Sequence, residues 1–351
     1  MIVVALVLLT SGCASLWNKP LPREAVHHRV KTDDGYELSL VRYEAKGAVT
    51  GRPVLLVHGI SANERNMDLD DEHSLARYFA EHGREAWTLS LRGTGDSDSA
   101  DPEHGRPPYS FDAFWQKDLP AAIAYVRAQS GVDRIDYVGH SMGGMIVYAY
   151  LSQGGGGLEA VTTLGSPTRL DWGGRILELL PSLKGLYLKD GMAVPVVNAA
   201  HLVMPLHGEL PNDLFTTLLI NRENVTNATW KHLMAYGIAD IQGGVATQFV
   251  GFIEKGTFAS ADGKIDFRRD MAKIRNPVFV VAGKNDRIAI TPAVKDAYRA
   301  LGGPKEWMLL GVENGQKADY GHMDLVMGDR AATECWDRVQ DFFVRHDHDA
   351  L

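Results

Sequence analysis

Cysteine is nearly absent from this chain. Cys13 and Cys335 are the two in 351 residues, too few for a disulfide framework. The ligand patterns of a zinc site are missing as well: there are no paired cysteines and no H-E-x-x-H. Among the 13 histidines, His27-His28 and His201…His207 come without the partner residues a metal would need, so no metal and no cofactor are expected. Positive charge is also short. Lys and Arg number 36 against 44 Asp and Glu, a net charge of −8 with no basic cluster, which excludes a nucleic-acid partner, since phosphates demand clustered Lys and Arg. No apolar run approaches the roughly 20 residues that cross a bilayer; Ile2 to Leu9 falls well short. What remains is ordinary globular composition, 45% hydrophobic and 23% charged, enough for one large domain with an insertion.

The informative stretch is Gly139-His140-Ser141-Met142-Gly143, preceded by Asp136-Tyr137-Val138 and followed by Gly144-Met145-Ile146-Val147-Tyr148. It reads as a strand, a sharp turn with serine at its apex, and a helix, the G-x-S-x-G nucleophile elbow. Small residues two before and two after the serine let strand and helix pack closely, and the helix N-terminus offers free N–H groups to a developing oxyanion. A serine hydroxyl needs a histidine base, and the histidine needs a carboxylate to orient it. In this arrangement the chain order is Ser, acid, His. Pro277–Gly283 reads as a buried strand ending in Lys284-Asn285-Asp286-Arg287, which makes Asp286 the acid. Glu306–Leu310 reads as the last strand. The loop after it carries Tyr320-Gly321-His322-Met323-Asp324, so His322 is the base. Asp319 and Asp324 flank it too closely to reach its ring and are expected at the surface or as caps. His140 is expected to be structural. The oxyanion hole needs two backbone N–H groups: Met142, after the nucleophile, and Ile60, in the His58-Gly59-Ile60-Ser61 turn after the strand Val54–Val57.

Strands and helices alternate elsewhere: strands at Glu37–Tyr43, Glu85–Leu91 and Leu158–Leu164, helices at Leu75–Glu81 and from Phe111 onward. The alternation predicts a mostly parallel sheet covered by helices on both faces. The acidic run Asp68…Asp70-Asp71-Glu72 reads as the negative start of a helix, with calcium ligation as a lesser alternative. Between Ser166-Pro167 and about Asp270 the alternation stops. The expected organisation is a signal and tether at 1–20, a core of 21–166 and 271–351, and a cap over 167–270 whose Leu and Met residues form an apolar acyl pocket.

With these pieces assembled, the chain resembles the α/β-hydrolases over roughly residues 26–346. Within that superfamily, Tyr109-Ser110-Phe111-Asp112…Lys117-Asp118-Leu119-Pro120-Ala121, Tyr320–Val326 and the opening Asp34-Gly35-Tyr36 resemble the acid lipases. Those usually carry Gln-Gly after the serine, where this chain has Met142-Gly143. The Phe-Asp…Asp-Leu-Pro-Ala segment also resembles the polyhydroxyalkanoate synthases, which need cysteine at the elbow; Ser141 favours hydrolysis. The resemblance implies a serine hydrolase acting on a small-molecule or lipid ester. Acyl transfer, another hydrolysis on the same machinery (amide or C–C), and a non-catalytic envelope lipoprotein are the alternatives.

At the N-terminus, Thr10-Ser11-Gly12-Cys13-Ala14-Ser15 after the apolar run resembles a bacterial lipoprotein signal, in which the cysteine is lipidated. Thr10 stands where Leu is usual, and the opening Met1-Ile2-Val3-Val4 has no basic residue. The resemblance implies a lipid anchor on Cys13 in the bacterial cell envelope, with a secreted, periplasmic or cytoplasmic enzyme as the alternative.

Overall fold

The computed structural model of the chain describes residues 25–170, 193–203 and 214–347. Cys13 and the expected signal lie outside the described residues, as does much of the expected cap. The elements, in order, are β1 (Ala25–Lys31), β2 (Glu37–Tyr43), β3 (Val54–Val57), α1 (Leu75–Glu81), β4 (Ala86–Ser90), α2 (Leu119–Ser130), β5 (Ile135–His140), α3 (Met142–Ser152) and β6 (Leu158–Leu164). They continue with α4 (Val196–Val203), α5 (Leu214–Leu219), α6 (Asn227–His232), α7 (Gly243–Lys255), β7 (Val278–Gly283), α8 (Thr291–Ala300), β8 (Lys305–Leu310) and α9 (Asp337–Arg345).

The strands form one eight-stranded sheet in the order β1-β2-β4-β3-β5-β6-β7-β8. From β4 through β8 every pair is parallel. β2 is antiparallel to both β1 and β4, so β1 runs in the common direction. Alternate residues of each inner strand feed two different cores. Leu55 and Val57 of β3 pack with Tyr137, Val280, Ile146 and Val126 on one face. Val54 and Leu56 pack with Val138, Val281, Phe79 and Phe343 on the other. Burial on both faces is why these strands read as continuous apolar runs rather than as alternating patterns. Connections between parallel strands bring every loop that follows a strand to one edge, and there the residues after β3, β5, β7 and β8 meet.

Two local readings need correction. The acidic run does not start a helix. α1 begins at Leu75, capped by Ser74, whose side chain accepts the Arg77 N–H at 3.1 Å. The acids are spent in the preceding loop: Asp68 accepts the Ser74 hydroxyl at 2.6 Å and Asp70 accepts the Glu72 and His73 N–H groups. Among the described residues no group of three or more His, Cys, Asp or Glu side chains is placed to hold a metal ion. Secondly, the helix from Phe111 is not regular. A wide turn at Phe114–Asp118 precedes α2, because Pro120 lacks an N–H and cannot continue the ordinary ladder. Beside it, Asp112 accepts Gln248 Nε2 from α7 at 3.0 Å and the Ala261 N–H at 2.8 Å. Phe111 stacks edge-on against Phe249, Phe252 and Phe258. That contact fastens α7 to the sheet.

Candidate active site

Ser141 sits between β5 and α3 with φ +52° and ψ −117°, a conformation costly for any residue with a side chain and kept where the surroundings force it. The forcing comes from close packing. A Cβ on Gly139 would lie within 2.5 Å of the Gly143 and Gly144 backbone, and one on Gly143 would collide with the Val57 carbonyl oxygen. Tyr137, buried beneath, donates its hydroxyl to the Gly143 carbonyl at 2.7 Å. The result lifts Oγ off the sheet at the start of α3, whose first N–H groups have no partner within the helix.

The loops after β7 and β8 deliver the rest. Ser141 Oγ and His322 Nε2 are 2.9 Å apart, and His322 Nδ1 lies 2.7 Å from Asp286 Oδ2. All three side chains are buried. Asp286 uses its other oxygen to accept the Ile288 and Ala289 N–H groups at 2.9 and 2.8 Å, so its carboxylate is fixed before it meets the imidazole. With Nδ1 donating to Asp286, Nε2 is left as an acceptor for the serine proton.

The neighbours have defined places. His140 is buried beneath His322, with ring centroids 4.8 Å apart, and burial pushes its pKa well down, the positive potential of His322 adding to the effect. His140 Nε2 lies 3.1 Å from the His322 carbonyl oxygen and Nδ1 lies 3.0 Å from Asn66 Oδ1. The same Asn66 oxygen accepts the Gly59 N–H at 3.4 Å, which ties the elbow to the loop after β3. Asp319 accepts the Val312 N–H at 2.9 Å. Asp324 is neither surface nor cap. It is fully buried and accepts from Gly321, Asn221 and Asn224. Its burial was hidden because its partners lie a hundred residues upstream in an irregular segment.

The loop after β3 brings Ile60 beside Ser141, and a Cβ on Gly59 would touch that of Ser141 at 3.0 Å. Ser61 has φ +56°. It is held there by pairing with residues just before α7: Ser61 Oγ donates to the Ala239 carbonyl at 2.8 Å, the Ala239 N–H returns to Ser61 at 3.1 Å, and Asn63 Nδ2 donates to the Tyr236 carbonyl at 2.8 Å. No sequence signal marked Ser61, Asn63, Asn66, Asn221 or Asn224, since each makes a contact with a residue far away in the chain.

A cavity of about 220 Å³ opens over Ser141, lined by Ile60, Met145, Leu170, Ile241, Phe249, Ile253, Ile288 and others, and Ser141 is the single polar residue among its described walls. α7 contributes Ala246, Phe249, Val250 and Ile253, a spacing that puts all four on one helical face.

Residues 52–329 match the family described as alpha/beta hydrolase fold. The chain is 25% identical to Lipase lipl-1 of Caenorhabditis elegans over 94% of this chain and 90% of that one. It is 33% identical to gastric triacylglycerol lipase of Mus musculus over 40% of this chain and 38% of that one, so that second likeness spans well under half of the mouse protein. Among solved structures, a thermophilic esterase from Thermogutta terrifontis superposes with a TM-score of 0.59 at 17% identity, covering 91% of this chain and 99% of that one, a likeness of fold.

Proposed function

Because this chain belongs to the α/β-hydrolase family and is a carboxylic ester hydrolase, we propose that it cleaves esters with apolar acyl chains through Ser141, His322 and Asp286. Ser141 Oγ attacks the ester carbonyl carbon while His322 Nε2 takes its proton. Asp286 holds the imidazole in the required tautomer and stabilises the imidazolium. The oxyanion is met by the N–H groups of Ile60 and Met142, aimed at the charge as it develops. The intermediate collapses, the C–O bond breaks, and the alcohol leaves with the proton from His322. Water, deprotonated by His322, then attacks the acyl-enzyme and releases the acid. The observation that carries the reading is a hydrogen-bonded serine as the single polar group facing an otherwise apolar described cavity. An apolar chain gains from leaving water, about 0.8 kcal/mol per buried methylene. The names of the lipase relatives agree with such a substrate.

The test is turnover of p-nitrophenyl esters of graded chain length by wild type and Ser141→Ala. The expected result is kcat/KM rising from acetate into longer acyl chains, and a loss of about 10⁴- to 10⁶-fold in the variant with unchanged thermal unfolding. A folded variant retaining a tenth of wild-type turnover refutes the nucleophile. A profile that falls from acetate onward refutes the apolar acyl site. Transfer to added alcohols in preference to water would reassign the chain as an acyltransferase using the same serine.

A further inference from the structure

His322 hangs from a loop with no regular structure, yet its ring must meet Ser141 and Asp286 simultaneously. Catalytic groups tolerate displacements of only about 0.5 Å, so something must hold the backbone on either side of it. The holding groups converge on Asp324. Its carboxylate accepts the N–H of Gly321, the residue directly before His322, at 2.8 Å, together with Asn224 Nδ2 at 2.9 Å and the Asn221 N–H at 3.1 Å. The same two asparagines reach the start of the loop: Asn221 Nδ2 and Asn224 Nδ2 donate to the Asp319 carbonyl at 2.7 and 2.9 Å. The Met323 N–H, after His322, donates to the Leu219 carbonyl at 2.8 Å. The approach is so close that a Cβ on Gly321 would lie 2.8 Å from the Asn221 nitrogen. Residues 219–224, between α5 and α6, thus clasp the loop before and after the histidine.

We propose that Asp324 and Asn224 are positioning residues for His322, locking its loop onto the 219–224 turn so that the imidazole stands between Ser141 and Asp286. This rests on the reading of those three residues as the catalytic set. Stability alone does not explain a carboxylate here. Asp324 is fully buried and its three donors are uncharged amides. Burial, with the nearby Asp286 charge contributing, pushes its pKa up to about 7. A buried charge without a cationic partner is a cost that an apolar side chain of similar size would avoid. The carboxylate does what an apolar group cannot: it gathers one donor from the histidine loop and two from the turn.

The experiment measures kcat and KM on p-nitrophenyl butyrate, the rate of covalent labelling by a fluorophosphonate, and thermal unfolding, for wild type, Asp324→Asn, Asn224→Ala and Ser141→Ala. Asp324→Asn presents an amide donor to donors. Asn224→Ala is milder, since both backbone N–H contacts to Asp324 remain. The expected result is a fall in kcat of about tenfold to a hundredfold with KM within about twofold of wild type, and a matching fall in labelling rate in protein that still unfolds cooperatively. Asn224→Ala supplies the answer should Asp324→Asn fail to fold. Retention of kcat within about twofold by a folded Asn224→Ala overturns the proposal, as does a loss that tracks only the unfolded fraction. An active Ser141→Ala would instead sink the catalytic set itself, which separates the two failures.

Discussion

At the scale of single residues, the site depends on which side of each group carries a proton. Asp286 accepts three hydrogen bonds and donates none, and this fixes Nδ1–H on His322. Asp286→Asn keeps the shape but offers an amide where a carboxylate is required. It is expected to lower kcat by about 10³- to 10⁴-fold at neutral pH, far beyond the effect of Asp324→Asn. Steady-state turnover of a p-nitrophenyl ester by both variants decides it: should Asp324→Asn prove the more damaging, the acid has been misassigned. The residues proposed to do the chemistry were legible because each stands after a readable strand, Ser141 after β5, Asp286 after β7 and His322 after β8. The residues that hold them were not. Asn66, Asn221, Asn224 and Asp324 earn their positions from partners 74, 103, 100 and 100 residues away, and no local pattern encodes such a contact.

At the scale of elements, α7 is the wall most open to design. Ala246, Phe249, Val250 and Ile253 face the cavity, while Val245 and Phe252 pack into the core beneath. Val250→Trp is expected to take room from the acyl chain without disturbing that packing. Each methylene then shut out costs about 0.8 kcal/mol, roughly fourfold in kcat/KM. Acetate turnover should change little while longer esters lose progressively more; a uniform loss across the chain-length series would place Val250 outside the acyl path. The inner strands were readable from apolar runs bounded by turns. β1 was not, because Ala25–Lys31 is an edge strand with Val26, His27 and His28 carrying no clear alternation and little burial. The stretch between Pro167 and Asp270 was harder to read for a different reason: among its described residues, the segments around 236–239 and 219–224 take their places from the loops they grip, Ser61–Asn63 and Asp319–Asp324, whereas α7 shows a periodic face.

At the scale of the whole molecule, buried ionisable groups respond to acid in opposite directions. Asp118, Asp136 and Asp324 are pushed up to about 6, 7 and 7 by burial. Being raised, they favour the folded state at low pH, and that contribution is lost as pH rises through those values. His58 goes the other way. Its Nδ1–H donates to the Gly59 carbonyl at 2.8 Å and its Nε2 accepts the Leu91 N–H at 3.1 Å, so the ring is held neutral, and burial lowers its pKa to about 4. Since the unfolded chain binds this proton near pH 6.5, the contribution is present above that pH and is lost as pH falls toward 4, by about 2 kcal/mol at pH 5. Urea unfolding at pH 7 and pH 5 of wild type and His58→Gln should therefore show a smaller acid loss in the variant by about that amount; equal losses would mean the ring is free to protonate in place. The direction of β1 has a consequence of another kind. It runs with the parallel strands, so its first residue, Ala25, enters at the rim opposite the one where Ser141 emerges. A bead coupled at Ala25 would therefore meet the rim away from the one that bears Ser141.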